Sequence, residues 1–444
     1  MEVLKIAENL IKTHPFCDRC LGRQFALLAS GTDNQARGFV IKLILTIEGH
    51  RQAIEGKKEG IPLLRALSIN GFFQSATETL SKLGQEIESL SKPECYLCYG
   101  KFELLDKLAR RTIRRLHNYE FETFLVGVTV SADIVNREDE LRASFGLKWS
   151  ESIRNEFSRE IGKRITEITG KSVDFNRPDV VIMIDPFSEQ ISLQVNSLFV
   201  AGRYKKLIRG IPQSKWICRT CKGRGCARCN WTGKMYPESV EESIAGPILE
   251  MTGGSDVKFH AAGREDIDVR MLGTGRPFII EVKNPKRRFL DLEQLEKVIN
   301  GRFQNKIQVT NLSIASKNMV RKLKVEEKAE KAYQVRVVFD RPVTDDELAN
   351  LKTNLSNCKI KQLTPIRVQH RRPKRLREKY IYKTEIKRLA PNQIEMIIRC
   401  QGGLYIKEMV TGDEGRTKPS VTELVGTKAD CAELDVIEVC TEGK

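Results

Sequence analysis

The period of the apolar positions changes several times along the chain. "EVLKIAENLIKTH" sets apolar residues at helical spacing and predicts an amphipathic opening helix, with no small-residue cleavage site behind it. "SATETLSKLGQEIESLSK", residues 75–92, has the same period, so the first hundred residues read as helices. "GFVIKLILTIEGH" is the most apolar early run, but it is short and broken by Lys42. No segment approaches the ~20 apolar residues a membrane span needs. From Phe124 the pattern shifts. "FLVGVTVSA" reads as a strand. "WSESIRNEFSREIGKRITEITG" reads as an amphipathic helix, capped by Ser150 or Ser152 and ended by Gly170. "DVVIMIDPF" and "QISLQVNSLFV" read as two strands joined by a polar turn. The order β-α-β-β predicts a compact α/β module.

Beyond a cysteine-rich stretch, "IDVRMLG", "PFIIEVK", "AYQVRVVFD", "IEMIIRCQGG" and "ELDVIEVC" read as strands. "DLEQLEKVIN" and "TDDELANLK" intervene as helices. This half is expected to be α+β with a mostly antiparallel sheet. The expected domains are a helical region over 1–120, the α/β module over 121–213, a cysteine-rich linker over 214–236 and a final domain over 237–444.

Charge then narrows the function. The 444 residues are 40% hydrophobic and 30% charged, with a formal net charge of +17. Such an excess points to a polyanion, nucleic acid before an anionic membrane surface. The cations cluster at Arg110, Arg111, Arg114 and Arg115, again at Arg203, Lys205, Lys206 and Arg209, and again between Pro365 and Lys379. Dispersed patches suit a phosphate backbone that crosses several domains.

Of twelve cysteines, eight fall in C-x2-C pairs. Cys17 and Cys20 are followed by Gly22-Arg23, and Cys95 and Cys98 by Gly100-Lys101. Two thiolates a short turn apart grip one metal, and the glycine lets backbone N–H groups face the sulfurs. The two knuckles predict a four-thiolate structural zinc site, with no open position for catalysis. "CRTCKGRGCARC" packs Cys218, Cys221, Cys226 and Cys229 into a shorter run. Gly223 and Gly225 permit a tight return there, so a second zinc site, or an RNA-contacting finger, is expected. Cys358, Cys400, Cys431 and Cys440 have no such spacing.

The last candidate chemistry is an acidic knot, Glu265, Asp266 and Asp268, set between Arg264 and Arg270 in basic surroundings. One aspartate could serve as a nucleophile, since a carboxylate needs no deprotonation at neutral pH. Alternatively, Asp268 with Glu281 and Lys283 across a hairpin has the pattern of a Mg²⁺-dependent nuclease. A nucleic-acid-binding protein without catalytic activity is a third reading. "GTGRPF" is too short for a nucleotide fingerprint and leads into a strand, so no nucleotide cofactor is expected.

Several separate stretches then agree. "GREDIDVR" resembles the G-R-x-D box of pseudouridine synthases, and "KAYQVRVVF" their tyrosine segment. "GGLYIKEMVTGDEGRTKPS" resembles their G-[TL]-Y-[IV]-[RK] box. "QLTPIRVQHRRP" and "TELVGTKADCAELDVIEV" fit one branch. Over nearly all its length the chain resembles the archaeal tRNA pseudouridine synthase 10 family, and its β-α-β-β module resembles an RNA-binding THUMP domain. The resemblance implies that Asp266 is the nucleophile and that Arg264 or Lys407 aims it. It implies further that Tyr333 and Tyr405 contact the substrate. It implies a pseudouridine-synthase catalytic domain after the zinc- and THUMP-containing region, structural zinc, and no catalytic cofactor. The implied substrate is the TΨC arm of tRNA at uridines 54 and 55, acted on by a cytoplasmic monomer.

Overall fold

The computed structural model describes residues 2–85, 93–325, 329–370 and 373–440. The helix expected over 75–92 is present as Gln74–Lys82. Its last seven positions lie outside the described residues, as do Arg371 and Arg372 of the third basic patch. The chain divides into two compact units, Met1–Asn196 and Ser197–Lys444.

The first unit has one core. Leu10, Phe16, Phe25 and Leu64 of its helical part belong to the same buried cluster as Phe157, Ile161 and Ile182 of its α/β part. Phe102 stacks on Phe157 with ring centroids 4.1 Å apart, and Arg19 reaches Glu156 at 3.1 Å. The boundary expected near residue 120 is therefore not drawn by packing. A four-stranded sheet is ordered β2-β1-β3-β4, with β1 (Thr123–Val128), β2 (Ser172–Val173), β3 (Val180–Asp185) and β4 (Gln190–Val195). β1 runs parallel to β2 and β3, and β4 antiparallel to β3. The helix Ile153–Thr169 is capped by Ser152, whose side chain accepts from Asn155 N–H, and ends at left-handed Gly170. A second helix, Ala132–Phe145, precedes it and was not expected. Its buried stripe reads Ile134, Glu138, Leu141, and the buried Glu138, paired with Arg23, interrupts the apolar period.

The second unit is built on a ten-stranded sheet. Its strands are β5 (Leu198–Lys206), β6 (Asp256–Ala261), β7 (Arg270–Lys283), β8 (Ile307–Ala315), β9 (Lys331–Phe339), β10 (Cys358–Leu363), β11 (Leu376–Ala390), β12 (Gln393–Cys400), β13 (Thr417–Lys418) and β14 (Ala429–Val439). The order is β13-β10-β11-β12-β9-β14-β7-β5-β8, with β6 added to β7. β14 pairs parallel with β7; the other recorded pairings are antiparallel. The mostly antiparallel sheet is as expected.

The structure departs from two expectations. Periodicity makes "QISLQVNSLFV" one strand and carries the α/β module to residue 213. The chain instead breaks at Asn196: β4 closes the first sheet, while β5 enters the second sheet between β7 and β8. Both halves are apolar and alternate, so periodicity alone could not separate them. The second correction concerns "IDVRMLGTGRPFIIEVK", read as two strands about a hairpin. It forms one strand, β7, with a bulge opposite β5, where Tyr204 faces Arg276 but Lys206 faces Met271. Gly273 sits at φ +52°, and a Cβ there would meet the Ile437 carbonyl oxygen at 1.8 Å. The glycines serve a close strand-to-strand approach rather than a turn.

Candidate active site

The acidic loop, residues 262–269, joins β6 to β7 and is held from below. β5 presents Tyr204 and Lys206 on its buried face, as strand alternation requires. Tyr204 Oη donates to Glu265, lying 3.0 and 2.9 Å from its two carboxylate oxygens. Arg276 Nε donates to Glu265 at 2.9 Å, and its Nη1 to the Ala262 carbonyl at 2.6 Å. Glu265 is therefore a buried, fully paired anchor. Lys206 Nζ donates to the carbonyls of Ile211, Asp266 and Ile267 at 2.9, 3.0 and 3.1 Å. Burial outweighs the nearby carboxylates and pushes the Lys206 pKa down to about 8. Arg209 donates to the Asp268 carbonyl at 2.8 Å and to Asp435 Oδ1 at 2.8 Å, and Arg270 donates to both oxygens of Asp435.

This mounting aims the two remaining carboxylates outward. Asp266 Oδ2 lies 2.8 Å from Arg367 Nη1 and 3.9 Å from Lys407 Nζ. Lys407 lies closer to Asp268, at 2.5 Å. Burial pulls the Asp268 pKa upward, but the Lys407 hydrogen bond and charge outweigh it and hold it below the usual range. Arg367 also donates through Nε to buried Glu408 at 2.5 Å, so one guanidinium bridges two carboxylates. Lys407 and Glu408 lie in the helix Ile406–Thr411, whose N-cap is Tyr405. The backbone of Tyr405 is clamped by Gln362, which donates to its carbonyl at 2.8 Å and accepts from its N–H at 2.9 Å. The guanidinium carbons of Arg367 and Arg377 each stand 6.0 Å from the Tyr405 ring centre.

All five residues expected at the site meet in one cleft of ≈ 650 Å³: Arg264, Asp266, Tyr333, Tyr405 and Lys407 line it, with Arg367. Tyr333 is half-buried on β9, and burial raises its phenol pKa, so it stays neutral at physiological pH. Arg264 is exposed, and among the described residues no ion pair joins it to Asp266. Arg367 was assigned to a phosphate patch on sequence alone; its place against Asp266 is set by a contact from a distant loop. The nuclease triad does not assemble. Glu281 pairs with His260 at 3.3 Å, Lys283 with Asp256 at 3.3 Å, and Asp268 with Lys407.

The cysteines gather in two sets. Within each, the four sulfurs lie within 4.8 Å of one another. The Cys17–Cys98 sulfurs are 3.7 Å apart in the first unit. In the second, the Cys218–Cys226, Cys221–Cys229 and Cys226–Cys229 sulfurs are 3.9, 3.8 and 3.7 Å apart. A tetrahedral ion with bonds of about 2.3 Å spaces its sulfurs roughly 3.8 Å apart, so both sets could hold a metal such as zinc.

Two family models match the chain: "Pus10 THUMP domain, archaeal" over residues 108–185 and "Pus10, C-terminal" over residues 199–440. The class so defined is the pseudouridine synthases, isomerases of RNA. The tRNA pseudouridine synthase Pus10 of Methanocaldococcus jannaschii is 43% identical over 448 residues, covering 99% of this chain and 94% of its own. That of Methanothrix thermoacetophila is 39% identical over 440 residues, with 99% and 94% covered. The chain belongs to the Pus10 family.

Proposed function

We propose that this protein isomerises uridines 54 and 55 in the TΨC loop of tRNA to pseudouridine, with Asp266 as the nucleophile. The observation that carries the assignment is the Asp266 carboxylate, fixed by Arg367 at 2.8 Å and approached by Lys407 at 3.9 Å, in the cleft that Tyr333 lines. The cleft lies within the ~300–1,000 Å³ typical of small-ligand sites. A uridine must leave its stack to enter it. Tyr333 offers a ring face against which the flipped uracil can stack. Asp266 bonds transiently to the nucleoside, the bond from C1′ to N1 of uracil breaks, the base rotates, C1′ bonds to C5, and the bond to Asp266 breaks again. The C5 proton leaves and N1 gains one, so nothing is added or removed. The loop's backbone anchors keep Asp266 at its place through both steps, and no catalytic cofactor takes part.

Zinc in the Cys17, Cys20, Cys95 and Cys98 set, and in the Cys218, Cys221, Cys226 and Cys229 set, is structural in this reading. Each set spends all four sulfurs on the ion. The protein acts as a monomer in the cytoplasm.

The test is pseudouridine mapping on an unmodified tRNA transcript. Asp266→Asn is expected to lose turnover by several orders of magnitude while still binding tRNA. Normal turnover by that variant, with Asp268→Asn inactive instead, would overturn the assignment. Label at uridines other than 54 and 55 would overturn the stated targets alone.

A further inference from the structure

The four-cysteine module of the second unit does more than its metal requires. Its neck is a short ladder: Cys218 N–H donates to the Gly233 carbonyl at 2.8 Å, and Met235 N–H to the Trp216 carbonyl at 2.8 Å. Its two knuckles pack backbone to backbone, since a Cβ on Gly233 would meet the Gly223 oxygen at 2.4 Å. From this rigid base Trp231 projects with 76% of its surface exposed, held at φ +60° beside Asn230 at +48°. Ile217 and Met235 of the same module are exposed as well, and an exposed apolar group rimmed by polar residues marks a contact surface. Its surroundings say what. Residues 214–236 contain no carboxylate and six cations: Lys215, Arg219, Lys222, Arg224, Arg228 and Lys234. A zinc bound by four thiolates carries two net negative charges, which still leaves most of that charge unbalanced. Arg219, Lys222, Arg224 and Arg228 are all exposed, and among the described residues none of them is in an ion pair. Beside them lies a hollow of ≈ 450 Å³, lined by Arg219, Arg228, Asn230, Lys234 and Tyr236 among others.

We infer that this module is an RNA-contacting finger of the enzyme: Trp231 stacks on an unpaired base of the tRNA while Arg219, Arg224 and Arg228 take adjacent phosphates. Stacking faces interleaved with cations are what binds single-stranded nucleic acid. The core of a protein–protein interface is depleted of charge, whereas four cations outside any ion pair among the described residues surround this indole. The inference rests on tRNA being the substrate.

The experiment uses the full, zinc-loaded chain and an unmodified tRNA transcript. Trp231→Ala is expected to weaken binding at least about fivefold with an unchanged salt slope, because a stack involves no counterion. Trp231→Phe keeps most of the affinity. The triple change Arg219→Ala, Arg224→Ala, Arg228→Ala lowers the salt slope by about two units. Metal analysis confirms that each variant keeps its zinc. A second readout is intrinsic fluorescence: tRNA should quench more of it in the wild type than in Trp231→Phe. Unchanged affinity, slope and quenching across all variants would overturn the inference and leave the face to another kind of partner. A wild-type chain that forms no pseudouridine, yet loses tRNA binding with Trp231→Ala, would fail the proposed activity and uphold the finger.

Discussion

Arg367 has two jobs at once, because its guanidinium is a planar fork. Nη1 holds Asp266 and Nε holds Glu408. A lysine at this position offers one nitrogen where the fork offers two separate ones, and cannot reproduce both contacts in that geometry. Arg367→Lys is therefore expected to lower single-turnover pseudouridine formation by about 10²-fold, with tRNA affinity nearly kept. A rise in KM with normal kcat and a smaller salt slope would show that it contacts phosphate instead. Lys206 supports the same loop by a different means. Its ammonium supplies three donors to three carbonyls; the neutral amine has two, and would turn a lone pair against an oxygen. Its pKa is lowered, so the unfolded chain binds that proton more tightly than the folded one. The Lys206 share of the folding free energy therefore becomes more favourable as pH climbs from about 8 toward about 10.4. Activity should move the other way, falling above about pH 8 as the loop loses a donor. A pH–rate profile on single turnovers checks it: in Lys206→Met the whole profile drops and that basic limb disappears. These residues mark the limit of the sequence. Asp266, Tyr333, Tyr405 and Lys407 lie in short local boxes and could be read one at a time. Arg367 and Lys206 also stand in plain view, but only the fold shows which cations face a carboxylate or a backbone and which face water.

At the scale of elements, local chemistry was legible wherever it stayed local. Ser152 and Gly170 bound their helix as the capping rules require, and Thr344 with Glu347 forms a capping box on Asp345–Leu355. What hid was paid for by distant partners. The helix Ala132–Phe145 buries Glu138 against Arg23, more than a hundred residues away, and the bulge in β7 needs Ile437 beside Gly273. The knuckles belong to the legible class, yet each is half a site. Cys17 and Cys20 open a helix of five residues, and Cys95 and Cys98 sit on a turn. Neither element is long enough to persist alone. Cys95→Ser should remove one zinc equivalent by metal analysis and lower the melting temperature of the first unit, because structural zinc binding is coupled to folding. Retention of full zinc and full stability would show that these sulfurs pack without an ion.

At the scale of the whole molecule, the basic patches have to be redrawn. Lys206, Arg209 and Arg367 are spent on the enzyme's own loop, and Arg203 donates to the Gly275 and Val439 carbonyls. On the helix Leu105–Leu116, Arg111 pairs with Glu189 and Arg115 donates to the Ile191 carbonyl, while Arg110 and Arg114, one turn apart, remain exposed. Net charge foretold a polyanion but could not say which cations were free to meet it. Arg110→Ala with Arg114→Ala should lower the salt slope of tRNA binding by about 1.5–2 units and leave kcat intact. An unchanged slope in binding titrations would remove that helix from the interface.

The place of β14 in the second sheet has a consequence for how the protein is made. β14 is the last strand among the described residues but not the last in space: it joins β9 on one side to β7 on the other. Until it arrives, the half-sheet bearing Asp266 and the half bearing Arg367 and Lys407 have no strand between them. The first unit ends at Asn196, so on the ribosome it is free to fold while the rest is still being translated. The second must wait, with its hydrophobic strands open, until residues 429–439 leave the exit tunnel. A nascent chain stalled before Ala429 would have its first unit complete and the sheet of its second still in two parts, and that interval is when a chaperone would matter most.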